Sequence, residues 1–120
     1  MLPLEVRKFL YDISQACQML DGFVTGKTYA NYRTDPLLRS AVERQFEVIG
    51  EALRRAVELQ PGVAERITHT RRIIAFRNRL IHAYATVSDE VVWGVLEGDL
   101  PRLTREVREL LEEPEAPPPG

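Results

Sequence analysis

The stretch from Leu37 to Leu59 constrains the fold most. Apolar residues recur there at three- and four-residue steps, through Leu38, Val42, Phe46, Ile49, Leu53 and Ala56, with Ala41, Ala52 and Val57 beside them. That repeat is the signature of a helix with one buried face. Asp35-Pro36 supplies an N-cap and a first residue preset for the helical turn, and Pro61-Gly62 stops the run. A helix of this length, about 35 Å, has to cover its apolar stripe with other elements, and the rest of the chain offers only helices.

A first helix is expected from about Leu4 to Leu20, with Val6, Phe9, Leu10, Ile13, Cys17 and Leu20 on one face and Pro3 in its opening turn. Asp21-Gly22 marks a break, and Thr25 to Tyr32 reads as a loop carrying at most one short helical turn. The next helix runs from Ala64 or Thr70 through Tyr84. Ser88-Asp89-Glu90 resembles an N-cap with first-turn acids, opening a short helix with Val91, Val92, Val95 and Leu96. Gly98 should end that helix. Asp99 can cap a last one, lined by Leu100, Leu103, Val107, Leu110 and Leu111. No alternating strand pattern of useful length appears, so the predicted fold is all-α, a four- to five-helix up-and-down bundle.

At 120 residues, 44% apolar and 28% charged, the chain has the length and composition of one globular domain. The helical domain is expected over 1–113, with the Pro-rich 114–120 a disordered tail. No apolar run approaches the roughly 20 residues that span a bilayer. The start lacks the order of a signal peptide and Cys17 has no partner for an intrachain disulfide, so a cytoplasmic location without membrane contact is expected. The formal charge of −2 gives no global attraction to nucleic acid. Any such binding must come from a local cluster such as Arg66, Arg71, Arg72, Arg77 and Arg79; the acids gather at Glu43, Glu47, Glu51 and from Glu106 to Glu115.

Chemistry concentrates in Arg77-Asn78-Arg79-Leu80-Ile81-His82-Ala83-Tyr84. Projected at about 100° per residue with Arg77 at 0°, Ile81 falls near 40°, Ile74 near 60°, Leu80 near 300° and Ile73 near 320°. Arg77 thus sits within the apolar stripe, with Tyr84 at about 340°, while Asn78 and His82 run along its edge at about 100° and 140°. An unpaired buried ion costs several kcal/mol, so a guanidinium there implies something that needs its charge. Either it pairs with Glu43, Glu47 or Glu51 on the neighbouring helix, or it serves a phosphate. His82, with a reference pKa of about 6.5, can take and give a proton near neutrality, which suits cleavage of an RNA strand by its own 2′-hydroxyl. Arg77 would bind the charge that builds on phosphorus, with Asn78 as a neutral partner. A symmetric dimer would bring two imidazoles together. His69 reads as structural, Tyr29 and Tyr32 as loop packing. The scattered His and Cys residues do not form a metal-ligand set, and neither a phosphate-cradling glycine loop nor a nucleophile elbow occurs.

These residues resemble the HEPN superfamily, and within it the HepT-like toxins that pair with minimal nucleotidyltransferases. The family hallmark is an Arg, a polar residue after it, a His a few residues on and, in the HepT branch, a Tyr two beyond the His; Arg77, Asn78, His82 and Tyr84 match each position. Ala41 to Ala52 looks like the family's long second helix, and Asp99-Leu100-Pro101-Arg102-Leu103 like the start of its last one. Where the family often has a Pro-Trp pair before the motif helix, this chain has Thr68-His69-Thr70.

The resemblance implies a homodimer whose paired motif helices form a cleft where transfer or messenger RNA is cut without metal or cofactor. Arg77 and His82 would be catalytic and Asn78 accessory; apart from the resemblance, Glu43, Arg44 and Glu47 are candidate supporting residues. It further implies a nucleotidyltransferase antitoxin partner that transfers AMP to Tyr84, adding bulk and negative charge that repel an incoming phosphate. The rival reading is a non-catalytic helical module that docks such a nucleotidyltransferase.

Overall fold

A computed structural model of the chain describes residues 2–82 and 87–114. The helices are α1 (Leu4–Val24), α2 (Tyr29–Thr34), α3 (Pro36–Leu59), α4 (Val63–Arg66), α5 (Thr70–Ile81), α6 (Asp89–Gly94) and α7 (Leu100–Glu112), with a π-helical turn, Val95–Asp99, between the last two. Among the described residues there is no strand. The long helix α3 is central: α1 packs on one side and α5 on another, while α7 closes the bundle against α1. Four rods, α1, α3, α5 and the α6–α7 pair, make the expected up-and-down bundle.

The core follows the predicted stripes. Val6, Leu10, Ile13, Cys17 and Leu20 of α1 meet Val42, Ile49, Leu53 and Ala56 of α3 and Val107 and Leu110 of α7, all buried. Asp35 caps α3 as its sequence suggests, its carboxylate accepting from the backbone N–H groups of Leu37 and Leu38. The end of α7 has no basic residue in its last turn. The cation there comes from another helix: Arg7 of α1 donates to the carbonyls of Leu111 at 2.8 Å and Glu113 at 2.9 Å.

Outside the motif helix, the elements differ from expectation in three places, each for a local reason. First, α1 continues a turn past Leu20, because Phe23 and Val24 still pack on the core and Gly22 tolerates the helix; the chain turns at Gly26, which has φ of 78°. Second, the loop before α3 contains a capped helix. Thr28 and Asn31 exchange side-chain and backbone hydrogen bonds in a capping box, and this turn delivers Tyr32 to the interior. Third, Gly98 does not end its helix and Asp99 does not cap the next. Both lie in the π turn, and the Asp99 carboxylate instead pairs with Arg102 at 2.9 Å. Pro101 follows at once. It can donate no N–H and its ring crowds the carbonyl four residues back, and the wider turn accommodates both.

The motif helix α5 stops at Ile81, so it does not reach Tyr84. Tyr84 lies outside the described residues, as does the expected tail apart from Pro114.

Candidate active site

Arg77 enters the site on α5, whose inner face carries Ile73, Ile74, Phe76 and Leu80 half-buried against α3 and the core. Directly opposite, α3 presents Gly50. A Cβ built on Gly50 would lie 2.2 Å from the Arg77 Cβ and 2.6 Å from its Cγ, so the helices close to a distance only glycine permits. Arg77 therefore begins deep between two backbones. Its side chain keeps 23% of its surface, and Nε is buried without a hydrogen-bond partner among the described residues. The two terminal nitrogens point to polar groups. Nη1 donates to Oδ1 of Asn78 at 3.0 Å, and Nη2 meets Oε2 of Glu51 at 3.2 Å.

Glu51 is shared. Its Oε1 accepts from Arg54 Nη2 at 2.7 Å and its Oε2 from Arg54 Nε at 3.3 Å. Arg54 in turn reaches Glu58 at 2.9 Å. Donation from Arg54, reinforced by the charges of Arg54, Arg77 and Arg55, holds the Glu51 carboxyl below its ordinary pKa. Of the three carboxylates that could neutralise Arg77, Glu51 is the one that does.

Arg77 lies along an open cleft of about 280 Å³, walled by Phe9, Asp12, Arg44, Glu47, Val48, Glu51 and Ile81 among others. Arg44 and Glu47 pair with each other at 3.6 Å. Ile81, placed by the helical projection on the buried stripe, keeps 48% of its surface. Glu43, by contrast, does not line this cleft. Burial, then the nearby carboxylates of Asp89 and Glu47, push its pKa up against the partial relief of Arg39.

His82 follows the last residue of α5 and is exposed, with φ −81° and ψ 121°, an extended conformation. It thus leaves the helical edge on which the periodicity aligned it with Asn78; Asn78 turns to Arg77 instead. His69 takes a left-handed backbone at φ 60°, and its carbonyl accepts from Ile73 to begin α5. Among the described residues, no three His, Cys, Asp or Glu side chains gather as a metal-ligand set.

The family model described as Ribonuclease HepT-like matches residues 13–110, most of the chain including both helices of this site. This chain belongs to the HepT-like ribonuclease family. A protein of Caldanaerobacter subterraneus subsp. tengcongensis, named as an RNase candidate, is 31% identical over 108 residues, covering 88% of this chain and 94% of that one. Another so named, from Methanocaldococcus jannaschii, is 28% identical over 91% of this chain and 89% of its own. A Thermococcus cleftensis protein named Probable ribonuclease HepT is 29% identical over 81% of this chain and 87% of its own. No solved structure matches.

Within this family's frame, the sequence pattern left Gly50 and Arg54 without a role, although they set the depth and the neighbour of Arg77. An isolated glycine in the middle of an amphipathic helix costs about 1 kcal/mol against alanine, which is the signal that it answers a packing need. No comparable signal exists for Arg54, because i to i+3 pairs with Glu are common on any exposed helix face.

Proposed function

We propose that this chain is a metal-independent endoribonuclease toxin, silenced by AMP transfer to Tyr84. The observation that carries the reading is a guanidinium anchored between two helices yet open to a cleft, in a chain of this family, with an exposed imidazole at the end of the same helix. Nη1 of Arg77 spends one N–H on Asn78 and retains another, and Nη2 meets Glu51 as an ion pair, so the guanidinium keeps donor capacity for a phosphate.

In the proposed reaction the 2′-hydroxyl of the RNA attacks the adjacent phosphorus. The O2′–P bond forms and the P–O5′ bond breaks. His82 accepts the 2′ proton, and an imidazolium returns a proton to the leaving O5′, giving a cyclic phosphate and a free 5′-hydroxyl. Arg77 binds the pentacoordinate phosphorane, and Asn78 keeps the guanidinium in plane.

A homodimer divides the two proton transfers between paired His82 rings. The exposed Ile81, together with Phe9 and Val48 in the same cleft, offers apolar surface for such a pairing. The proposed antitoxin is a minimal nucleotidyltransferase that adds AMP at Tyr84, and the substrate is transfer or messenger RNA. Incubating the purified protein with both RNAs in the presence of a chelator tests the reading. Cleavage that disappears in His82→Ala and Arg77→Ala supports it; intact RNA with the unmodified protein, as a non-catalytic docking module would give, overturns it.

A further inference from the structure

We infer that Glu51, with Gly50 before it, is a positioning residue that fixes the Arg77 guanidinium for phosphate binding. The inference rests on the nuclease reading above, and it concerns what Arg77 needs in order to act.

An arginine side chain has several rotatable bonds and delivers its charge to one point only if the stem and the head are both held. Gly50 holds the stem. The absence of a side chain at that position lets the Arg77 Cβ and Cγ lie where a residue-50 Cβ would be, and this close fit removes the freedom of the first bonds. Glu51 holds the head through the 3.2 Å contact to Nη2. A single flexible carboxylate would be a poor anchor, but this one is itself fixed by two bonds from Arg54. The relay therefore runs from Arg54 through Glu51 to Arg77, and Asn78 closes the other side at Nη1. Both anchoring residues of α3 are consecutive, so one turn of that helix sets the depth and the aim of the group opposite.

Such a relay has a kinetic signature. A carboxylate that merely competed with phosphate for Arg77 would, once removed, tighten substrate binding and leave kcat unchanged. A positioning carboxylate, once removed, lets the guanidinium wander in the transition state, so kcat falls more than KM rises.

Four variants test it: Glu51→Ala, Glu51→Gln, Gly50→Ala and Arg54→Ala, assayed against transfer RNA with chelator present, with Arg77→Ala as the control. Glu51→Ala is expected to lower kcat roughly ten- to hundredfold with little change in KM, and Glu51→Gln, which keeps an acceptor oxygen, to recover part of the loss. Arg54→Ala should fall in the same direction by less. Gly50→Ala should lose at least as much as Glu51→Ala; because it also strains the fold, the two substitutions at the part-exposed Glu51 are the decisive ones. Loss in Arg77→Ala with unchanged kcat and KM in both Glu51 variants overturns the positioning role and leaves the nuclease reading standing. A lower KM at constant kcat overturns it too. Retained cleavage in Arg77→Ala sinks the nuclease reading itself.

The arm that needs no turnover is nitrogen NMR of the arginine side chains. The wild-type Arg77 guanidinium should show hindered rotation with separate terminal-nitrogen signals, collapsing to one in Glu51→Ala. Identical spectra for the two proteins overturn the inference whether or not RNA is cut.

Discussion

Gly50 of α3 and Arg77 of α5 occupy a single gap, the arginine's Cβ filling the place that any other residue at 50 would claim. The neighbour a new methyl would meet is the first carbon of a side chain, which cannot swing aside without moving its backbone. Gly50→Ala should therefore cost roughly 1–3 kcal/mol of overpacking, although alanine is the better helix former. Urea unfolding checks it, and a variant as stable as the wild type would mean that α5 shifts freely on α3.

Replacing His82 with alanine should abolish RNA cleavage and growth arrest while leaving the melting temperature nearly unchanged, because the residue is exposed beyond the end of α5. Arg77→Ala should lower the rate by about 10²- to 10³-fold, the usual loss when one fixed donor to a developing charge is removed. Single-turnover cleavage of a labelled RNA measures both.

The two shifted carboxylates on α3 should give opposite slopes of stability against pH. Glu51 has a folded pKa below its unfolded value of 4.5, so its contribution is present above that pH and is lost as pH falls through the folded value. Glu43 is raised above 4.5, so the folded protein is penalised at neutral pH and relieved as pH falls through the raised value. Glu51→Gln should accordingly lower the neutral melting temperature and flatten its acid decline, whereas Glu43→Gln should raise the neutral value. Melting curves between neutral and acid pH distinguish them.

Tyr32 is fully buried and its hydroxyl has no hydrogen-bond partner among the described residues. Burial, with Glu43 and Asp89 nearby, drives its pKa upward, so the phenol stays neutral. Its ring packs 5.7 Å from that of Trp93. Tyr32→Phe should thus be neutral or stabilising, since it removes an unsatisfied polar atom and keeps the ring, whereas Tyr32→Ala should cost about 3 kcal/mol or more. Denaturant titrations of the pair separate the hydroxyl from the ring.

Cys17 lies in the core at 1% exposure, and burial raises its thiol pKa despite a hydrogen bond with Thr104. A thiol reagent should leave it unlabelled in the native protein and modify it on unfolding. Mass measurement after brief alkylation reads the difference.

The bundle was legible where one local rule decided the outcome. The α3 stripe from Leu38 to Ala56, the Asp35-Pro36 start and the α7 stripe through Leu103 and Val107 are each set by periodicity or capping, and they appear as read. The Thr28–Asn31 capping box was present in the sequence but hidden by the turn-rich residues around it, so Tyr32 read as loop packing rather than core. At the π turn a glycine and an aspartate mimic a helix end, while the crowding by Pro101 is relieved three-dimensionally. In the site, helical phase foretold that Arg77 would lie among isoleucines, and charge left open whether it pairs with one of three glutamates or serves a phosphate. Selecting Glu51 required the depth of the α3–α5 contact, which Gly50 sets from a neighbouring helix. Phase also put Ile81 on the buried stripe, although it closes α5 half exposed, and kept His82 on the helical edge, which the chain leaves because α5 ends at Ile81.

Arg7 holds the final carbonyls of α7 from across the bundle, and α7 has no cation of its own in that turn. The last turn of the final helix and the opening turn of the first are consequently tied together across the bundle. A disturbance at either extremity is therefore passed to the other through these two bonds.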